Sequence, residues 1–203
     1  MIEPAKSMKV RITFTEPVLG TSPGNADIYR DFIGSKSPDA TTIEDEVAAL
    51  GAEEVVDKGM TVFPRMEDGT PFFWDYQIKG FFKDSCGGLR KVPKSESSKI
   101  KAYKKEIDKL IFPEPRRIPI RVNGEIGECQ RPLRAQTAQG ERVSLAISEE
   151  IPAGSTIEFT VTMFTAAHYA AVVEWLDYGK YSGISQWRNS GKGRFTWELL
   201  SEG

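Results

Sequence analysis

The residues of this 203-residue chain best equipped for chemistry fall in three short polar segments. Gly183-Ile184-Ser185-Gln186-Trp187-Arg188-Asn189-Ser190-Gly191-Lys192-Gly193-Arg194 gathers glycine, amide, hydroxyl and cationic groups in one stretch. Glycines let backbone N–H groups approach a phosphate closely, and Arg188, Lys192 and Arg194 supply charge. The spacing is not that of a P-loop, and a strand rather than a helix is expected after it. The competing use of the same glycines is a surface loop whose turns they permit. A second segment, Tyr76-Gln77-Ile78-Lys79-Gly80-Phe81-Phe82-Lys83, predicts a helix that starts just after Lys79-Gly80. Such a start would offer free N–H groups, Lys79 and Lys83 to an anion. The third runs from Gln130 to Arg142, with Arg131, Arg134 and Arg142 among glutamines and little apolar content. It reads as a ligand-binding loop or a hairpin arm. Trp74, Tyr76 and Trp187 are rings able to stack on bases, whereas Phe72 and Phe73 read as core.

Other chemistries find less support. Cys86, Cys129 and His168 are the whole cysteine and histidine content, too few for a four-ligand structural zinc site. Both thiols are expected to be reduced and partly buried. His168 opens a predicted helix with no identifiable partner, a setting more typical of a structural or exposed histidine than of a general base. Glu44, Asp45, Glu46, Glu53, Glu54 and Asp57 spread around a helix rather than converge on a metal. No cofactor, metal or catalytic residue is expected.

Charge is unevenly placed. Residues 1–78 carry a balance of −7, residues 79–121 of +8 and residues 122–203 of −3, so a basic segment lies inside a chain of net charge −2. Local positive potential recruits polyanions even when the total is negative, although a solvated helix face accounts for many Lys-rich helices.

The elements that must position these groups follow from periodicity. Val10, Ile12 and Phe14 alternate along a half-buried strand, followed by a Gly/Pro-rich loop and a short helical stretch around Ile28–Phe32. Thr41-Thr42-Ile43-Glu44 has the capping-box pattern, with Ile43, Val47 and Leu50 at helical spacing behind it. Met60–Phe63 reads as a strand, Glu67–Thr70 as a turn and Pro71–Tyr76 as strand or loop. A helix is predicted over Phe81–Leu89. A second carries the stripe Ile100, Tyr103, Ile107, Leu110 and Ile111, stopped by Pro113 and Pro115. Ile118, Ile120 and Val122 alternate, and Asn123-Gly124 signals a hairpin. Strands are expected around Val143–Ile147, Ile157–Met163 and Arg194–Leu199. A turn at Pro152–Ser155 and a helix with Tyr169, Val172, Val173 and Leu176 on one stripe complete the pattern. This order is that of an α+β protein, an antiparallel sheet with helices on one face. One domain over 1–203 is expected, with its core in 8–200, a loop or helical insertion at 16–58 and an Arg-rich hairpin or loop at 123–142.

The order Lys79-Gly80, then Pro152-Ala153-Gly154-Ser155 with Phe159, then Ser190-Gly191-Lys192-Gly193-Arg194, resembles the RAMP superfamily. These are the ferredoxin-like RNA-binding subunits that form the backbone of CRISPR effector complexes. The resemblance spans residues 8–200, and it rests on order and spacing because each motif is short. It implies an RRM-like βαββαβ core, a grip on the RNA backbone by the Gly-rich loop and the Lys-Gly helix start, and side-by-side stacking along RNA. Some relatives cut RNA with an aspartate after the first strand region or with a histidine base. Asp27, Asp31 and Asp39 lie in or just after the corresponding loop, and none is marked by a diagnostic motif. The overall acidity departs from what a filament that coats RNA would favour.

Three functions fit these readings. The first is a non-catalytic protein that binds RNA or single-stranded DNA through Lys79, Lys83, Arg131, Arg134, Arg142, Arg188, Lys192, Arg194 and Trp187, as a homo-oligomer or a subunit of a nucleoprotein complex. The second is an endoribonuclease on the same fold. The third is an interaction module or inhibitor that docks on a nucleic-acid machine through its acidic half. No apolar run reaches the length of a membrane span and Met1–Ser7 lacks a signal-peptide core, so a cytoplasmic location with no membrane partner is expected.

Overall fold

The computed structural model describes residues 4–23, 60–137 and 140–203. The helical stretch at Ile28–Phe32, the capping box at Thr41, the acidic cluster Glu44–Asp57 and Asp27, Asp31 and Asp39 lie outside the described residues. β1 (Lys6–Phe14) forms where alternation requires it: Met8, Val10, Ile12 and Phe14 are wholly buried and Lys9 is exposed. The short strands β2 (Val18–Leu19), β3 (Ser22–Pro23), β4 (Thr61–Val62) and β5 (Phe72–Trp74) lead into α1 (Asp75–Leu89). Next come α2 (Glu96–Lys99), α3 (Tyr103–Leu110), β6 (Ile111–Glu114), β7 (Arg117–Arg121), β8 (Gly127–Thr137) and β9 (Gly140–Ile151). β10 (Thr156–Met163), α4 (His168–Ser182), a 3-10 turn at Arg188–Ser190 and β11 (Phe195–Glu202) complete the chain.

The main sheet has the order β11-β1-β10-β7-β5, with β6 also paired to β10, and its pairings are antiparallel. With β6 and β7 counted as one interrupted strand, β1-α1-β6/β7-β10-α4-β11 is the ferredoxin-like succession, and the first strand sits between the third and the last. The α+β reading of the sequence therefore holds. One face is covered by helices. Ile78, Phe81, Phe82 and Cys86 of α1 and Ala171, Val172, Trp175 and Leu176 of α4 join the inward residues of β1, β7 and β10 in a single core. Each buried Phe or Leu contributes about 1.5–3 kcal/mol. Gly179 of α4 is required by this packing, because a Cβ there would lie 2.1 Å from Phe195 Cζ.

A second sheet, β2-β9-β4-β3 with β8 on β9, holds the Arg-rich segment. β8 and β9 pair from Gly127↔Glu150 to Thr137↔Gly140, so the 130–142 segment is a hairpin arm rather than a loop.

Three local expectations are corrected. α1 begins at Asp75, not after Gly80; the Gln77 side chain reaches back to accept the Trp74 N–H at 2.8 Å, so the aromatic run itself starts the helix. The predicted Ile100–Ile111 helix is broken. Ile100 ends α2 in extended conformation, α3 covers Tyr103–Leu110, and Ile111 and Pro113 lie in β6. The break is stabilised from α4: Glu174 accepts the N–H groups of Glu96 and Ser97 and the Ser97 hydroxyl, and Trp175 Nε1 donates to that hydroxyl at 2.9 Å. Asn123-Gly124 does not join two paired strands. β7 pairs with β5 and β10, while Asn123 N–H donates to Ser155 Oγ and its side-chain amide to Ala153 O, which pins the exit of β7 to the Pro152–Ser155 turn.

The open face of the sheet carries an ion cluster, with the Phe72 and Trp74 rings of β5 beside Arg117 at its edge. Arg11 lies across from Glu158 on β10 and Glu198 on β11, and its guanidinium donates to both, at 3.0 and 2.9 Å to Glu158 and 2.7 Å to Glu198. Lys9 and Arg121 stand 3.6 Å from the same Glu158. The hydrogen bonds from Arg11 hold the Glu158 carboxyl below its ordinary value. A depressed carboxylate contributes stability that is present at neutral pH and is lost as pH falls through the folded-state value. Glu158→Gln is thus expected to lower stability at neutral pH, with the deficit against wild type shrinking in acid. Denaturant unfolding at neutral pH and at about pH 3 checks this, and a pH-independent deficit would contradict it.

Candidate nucleic-acid interface

The Gly-rich loop leaves α4 at Gly183 and re-enters the sheet at Phe195. Its two ends close on each other: Ile184 N–H donates to Gly193 O at 2.9 Å, and Gly193 N–H to Pro17 O at 2.8 Å. Gly193 has φ 71°, and a Cβ on it would lie 2.0 Å from Ile184 O; Gly183 has φ 65° and would meet Lys192 O at 2.5 Å. The glycines serve this neck, and the amides of Gly183, Gly191 and Gly193 are all used internally. Among the described residues the N–H groups of Ser185, Gln186 and Trp187 have no acceptor. Ser185 and Trp187 are held at positive φ, 75° and 56°.

What holds this segment is Gln186. Its Nε2 donates to Gly20 O, to Thr61 Oγ1 at 2.8 Å and to Ser148 Oγ at 3.1 Å, while its Oε1 accepts Arg131 Nη2 at 2.9 Å. Ser185 Oγ donates to Leu19 O. One amide thus ties the loop to the 18–23 segment, β4, β8 and β9. The Arg131 guanidinium lies over the Trp187 ring, 4.8 Å from its centroid, and its Nε and Nη1 are buried without a partner. Facing α1, the loop borders a groove of about 520 Å³ lined by Thr21, Tyr76, Gln77, Gly80, Asp84, Gln186 and Arg188, among others. Tyr76 is exposed at its mouth and stacks on Trp74, with ring centroids 6.0 Å apart.

The sequence-predicted site residues divide into groups. Arg131, Trp187, Arg188 and Lys192 gather around the loop and the base of the hairpin. Two of them are ion-paired: Arg188 with Asp84 and Lys192 with Glu150, each at 2.5 Å. Arg194 is exposed and makes no ion pair among the described residues. Arg134 and Arg142 lie on the facing strands of the hairpin. Lys79 and Lys83 turn the other way, toward α3. Lys79 Nζ donates to Asp108 O at 3.1 Å and sits 4.1 Å from the Phe112 centroid, while Lys83 pairs with Asp108 at 2.5 Å. Burial lowers the Lys79 pKa. The anion site expected at a Lys79-Gly80 helix start is absent, because both residues lie inside α1 rather than at its N-terminus.

No catalytic constellation appears among the described residues. His168 is buried, with Nε2 3.1 Å from Glu106 Oε2 and Nδ1 unpartnered. Gly20-Thr21-Ser22-Pro23-Gly24 has the Gly-x-Ser-x-Gly spacing, but Ser22 lies within β3 opposite Val62 rather than at the tip of a turn. No His, Cys, Asp and Glu cluster among the described residues is arranged to hold a metal ion. Burial raises the pKa of both free thiols, Cys86 and Cys129. No helix among the described residues is long and apolar enough to cross a membrane.

No protein-family model matches the chain. No curated protein matches it either. Among solved structures, the chain is similar to one in the structure titled "Cryo-EM structure of the Type III-B Cmr-beta bound to cognate target RNA". The likeness is one of fold. It has a TM-score of 0.54 at 12% identity and covers 98% of this chain. This chain spans 60% of that neighbour's length. The sequence motifs had drawn attention to glycines and cations; Gln186, which organises the site, carries no motif and is found only through its four partners.

Gln186→Ala leaves Arg131, Thr61 and Ser148 without their shared partner, and is expected to cost about 1–3 kcal/mol. Urea unfolding followed by tryptophan fluorescence measures it, and an unchanged midpoint would contradict the role given to this amide.

Proposed function

We propose that this chain is a non-catalytic RNA-binding protein of RAMP type that works within a nucleoprotein complex. The observation that carries the reading is the run of amides at Ser185–Trp187 that have no acceptor among the described residues, held by Gln186 beside a groove and flanked by Arg131, Arg188, Lys192 and Arg194. Backbone N–H groups and guanidinium groups are the standard ligands of phosphate oxygens and position a strand without reading its sequence. Trp187, 39% exposed, offers a ring face for a base. The fold likeness to a chain of an RNA-bound Cmr structure supports RNA as the polymer.

The pairing of Arg188 with Asp84 and of Lys192 with Glu150 bears on affinity. A phosphate that takes either cation must displace a carboxylate, so binding is weaker than the number of cations implies, and the loop is kept closed when no strand is bound. The same neutralisation favours a second reading, a surface that meets a protein partner.

Fluorescence anisotropy of short single-stranded RNA and DNA, at low and physiological salt, tests the proposal. Wild type is expected to bind RNA with a strong salt dependence. Arg188→Ala/Arg194→Ala is expected to lower the slope of log K against log salt by about 1.4, the single-strand value for two phosphates. Absence of binding at low salt would overturn the reading in favour of the protein-interaction surface.

A further inference from the structure

A second groove, of about 590 Å³, adjoins the first and shares Gly80 and Asp84 with it. Its floor is the face of α1 that carries Gly80, Gly87 and Gly88, and its walls are Tyr103 and Lys104 of α3 and Tyr178 and Ser182 of α4. The absence of side chains on the floor sets its depth: a Cβ at Gly80 would meet nothing within 4 Å, and one at Gly87 would lie 3.1 Å from the Tyr103 hydroxyl.

The charge here differs from that of the Gly-rich loop. Lys83, Lys91 and Lys104 line the groove, against Asp84 as the carboxylate among its described lining residues. Asp84 is already engaged by Arg188, and Lys83 by Asp108. Lys91 and Lys104 are exposed and make no ion pair among the described residues. Arg90 adds a further cation at the rim, 5.2 Å from the Tyr103 ring centroid. The basic stretch 79–121 thus folds so that unneutralised charge stands along a channel continuous with the proposed RNA site. Positive side chains with aromatic rings along a groove match the repeating phosphate and base of a single strand.

We infer that this second groove carries the continuation of the same single-stranded nucleic acid, whose phosphates face Lys91 and Lys104 and whose backbone crosses the glycine face of α1 at Gly80. The inference rests on the RNA-binding reading of the first groove. It makes the bound strand longer than the Gly-rich loop alone can contact, and it assigns a share of the salt-dependent affinity equal to that of Arg188 and Arg194 to lysines outside that loop.

The test uses the full chain and two fluorescein-labelled RNAs, of about 5 and about 15 nucleotides, which span the usual site sizes of small single-strand-binding folds. Lys91→Glu/Lys104→Glu is compared with Lys101→Glu/Lys109→Glu, the same charge change at exposed positions that do not line the groove. The groove variant is expected to lose about tenfold or more in affinity for the long RNA at low salt, with its salt slope reduced by about 1.4. It should lose much less for the short RNA, and the control variant should stay near wild type. Equal losses in groove and control variants would show a general field effect and overturn the inference. An unchanged groove variant beside an impaired Arg188→Ala/Arg194→Ala variant would overturn it too, and leave the first site standing. No binding of either RNA by wild type would overturn both.

Discussion

The arrangement of the candidate site depends on a single half-buried side-chain amide. Gln186 spends both ends of its side chain on groups from the 18–23 segment, β4, β8 and β9, and so fastens the Gly-rich loop of the ferredoxin-like core to the second sheet. Gln186 finds partners for both its carbonyl oxygen and its nitrogen, which fixes the loop, while the Arg131 guanidinium it holds keeps Nε and Nη1 buried without a partner. The position of the loop, the course of the Ser185–Trp187 backbone and the placement of Arg131 over Trp187 follow from it. Glycine has a supporting part: Gly183 and Gly193 allow the neck of the loop to close where a Cβ would collide with carbonyl oxygens.

Electrostatics then separate two parts of the surface. Around the loop two of the four cations are matched by carboxylates, Arg188 by Asp84 and Lys192 by Glu150, and the open face of the sheet holds a similar cluster around Arg11 and Glu158. Along α1 and α3 the lysines exceed their partners. A chain of net charge −2 can therefore still present a positive path, because the neutralising contacts are local and the excess is concentrated where 79–121 folds into adjoining helices.

Much of the fold was legible in the sequence. The alternation in β1, β7 and β10 and the stripe in α4 state directly which side chains face the core, since a strand or helix with one covered face needs that period. Short-range signals were less dependable. Asn123-Gly124 looks like a hairpin turn but is recruited by Ser155 and Ala153, and the Ile100–Ile111 stripe is cut because Glu174 and Trp175, far away in sequence, bind the backbone and hydroxyl of Ser97. The start of α1 was misplaced because aromatic residues before Lys79 read equally well as strand; β5 takes only Phe72–Trp74 and the helix takes the rest. In the candidate site, cations and glycines could be named from composition. Their pairing could not, because Asp84 and Glu150 are distant in sequence from Arg188 and Lys192.

The central claim is that the amides of Ser185, Gln186 and Trp187 receive phosphate oxygens. Titration of isotope-labelled protein with a short single-stranded RNA, followed through the backbone amide resonances, tests it most directly. The account predicts that these three resonances move most, downfield as hydrogen bonds form, and that their exchange with solvent slows, while the amides of Gly183, Gly191 and Gly193 change little. Saturable RNA binding that leaves the Ser185–Trp187 amides unshifted would contradict it.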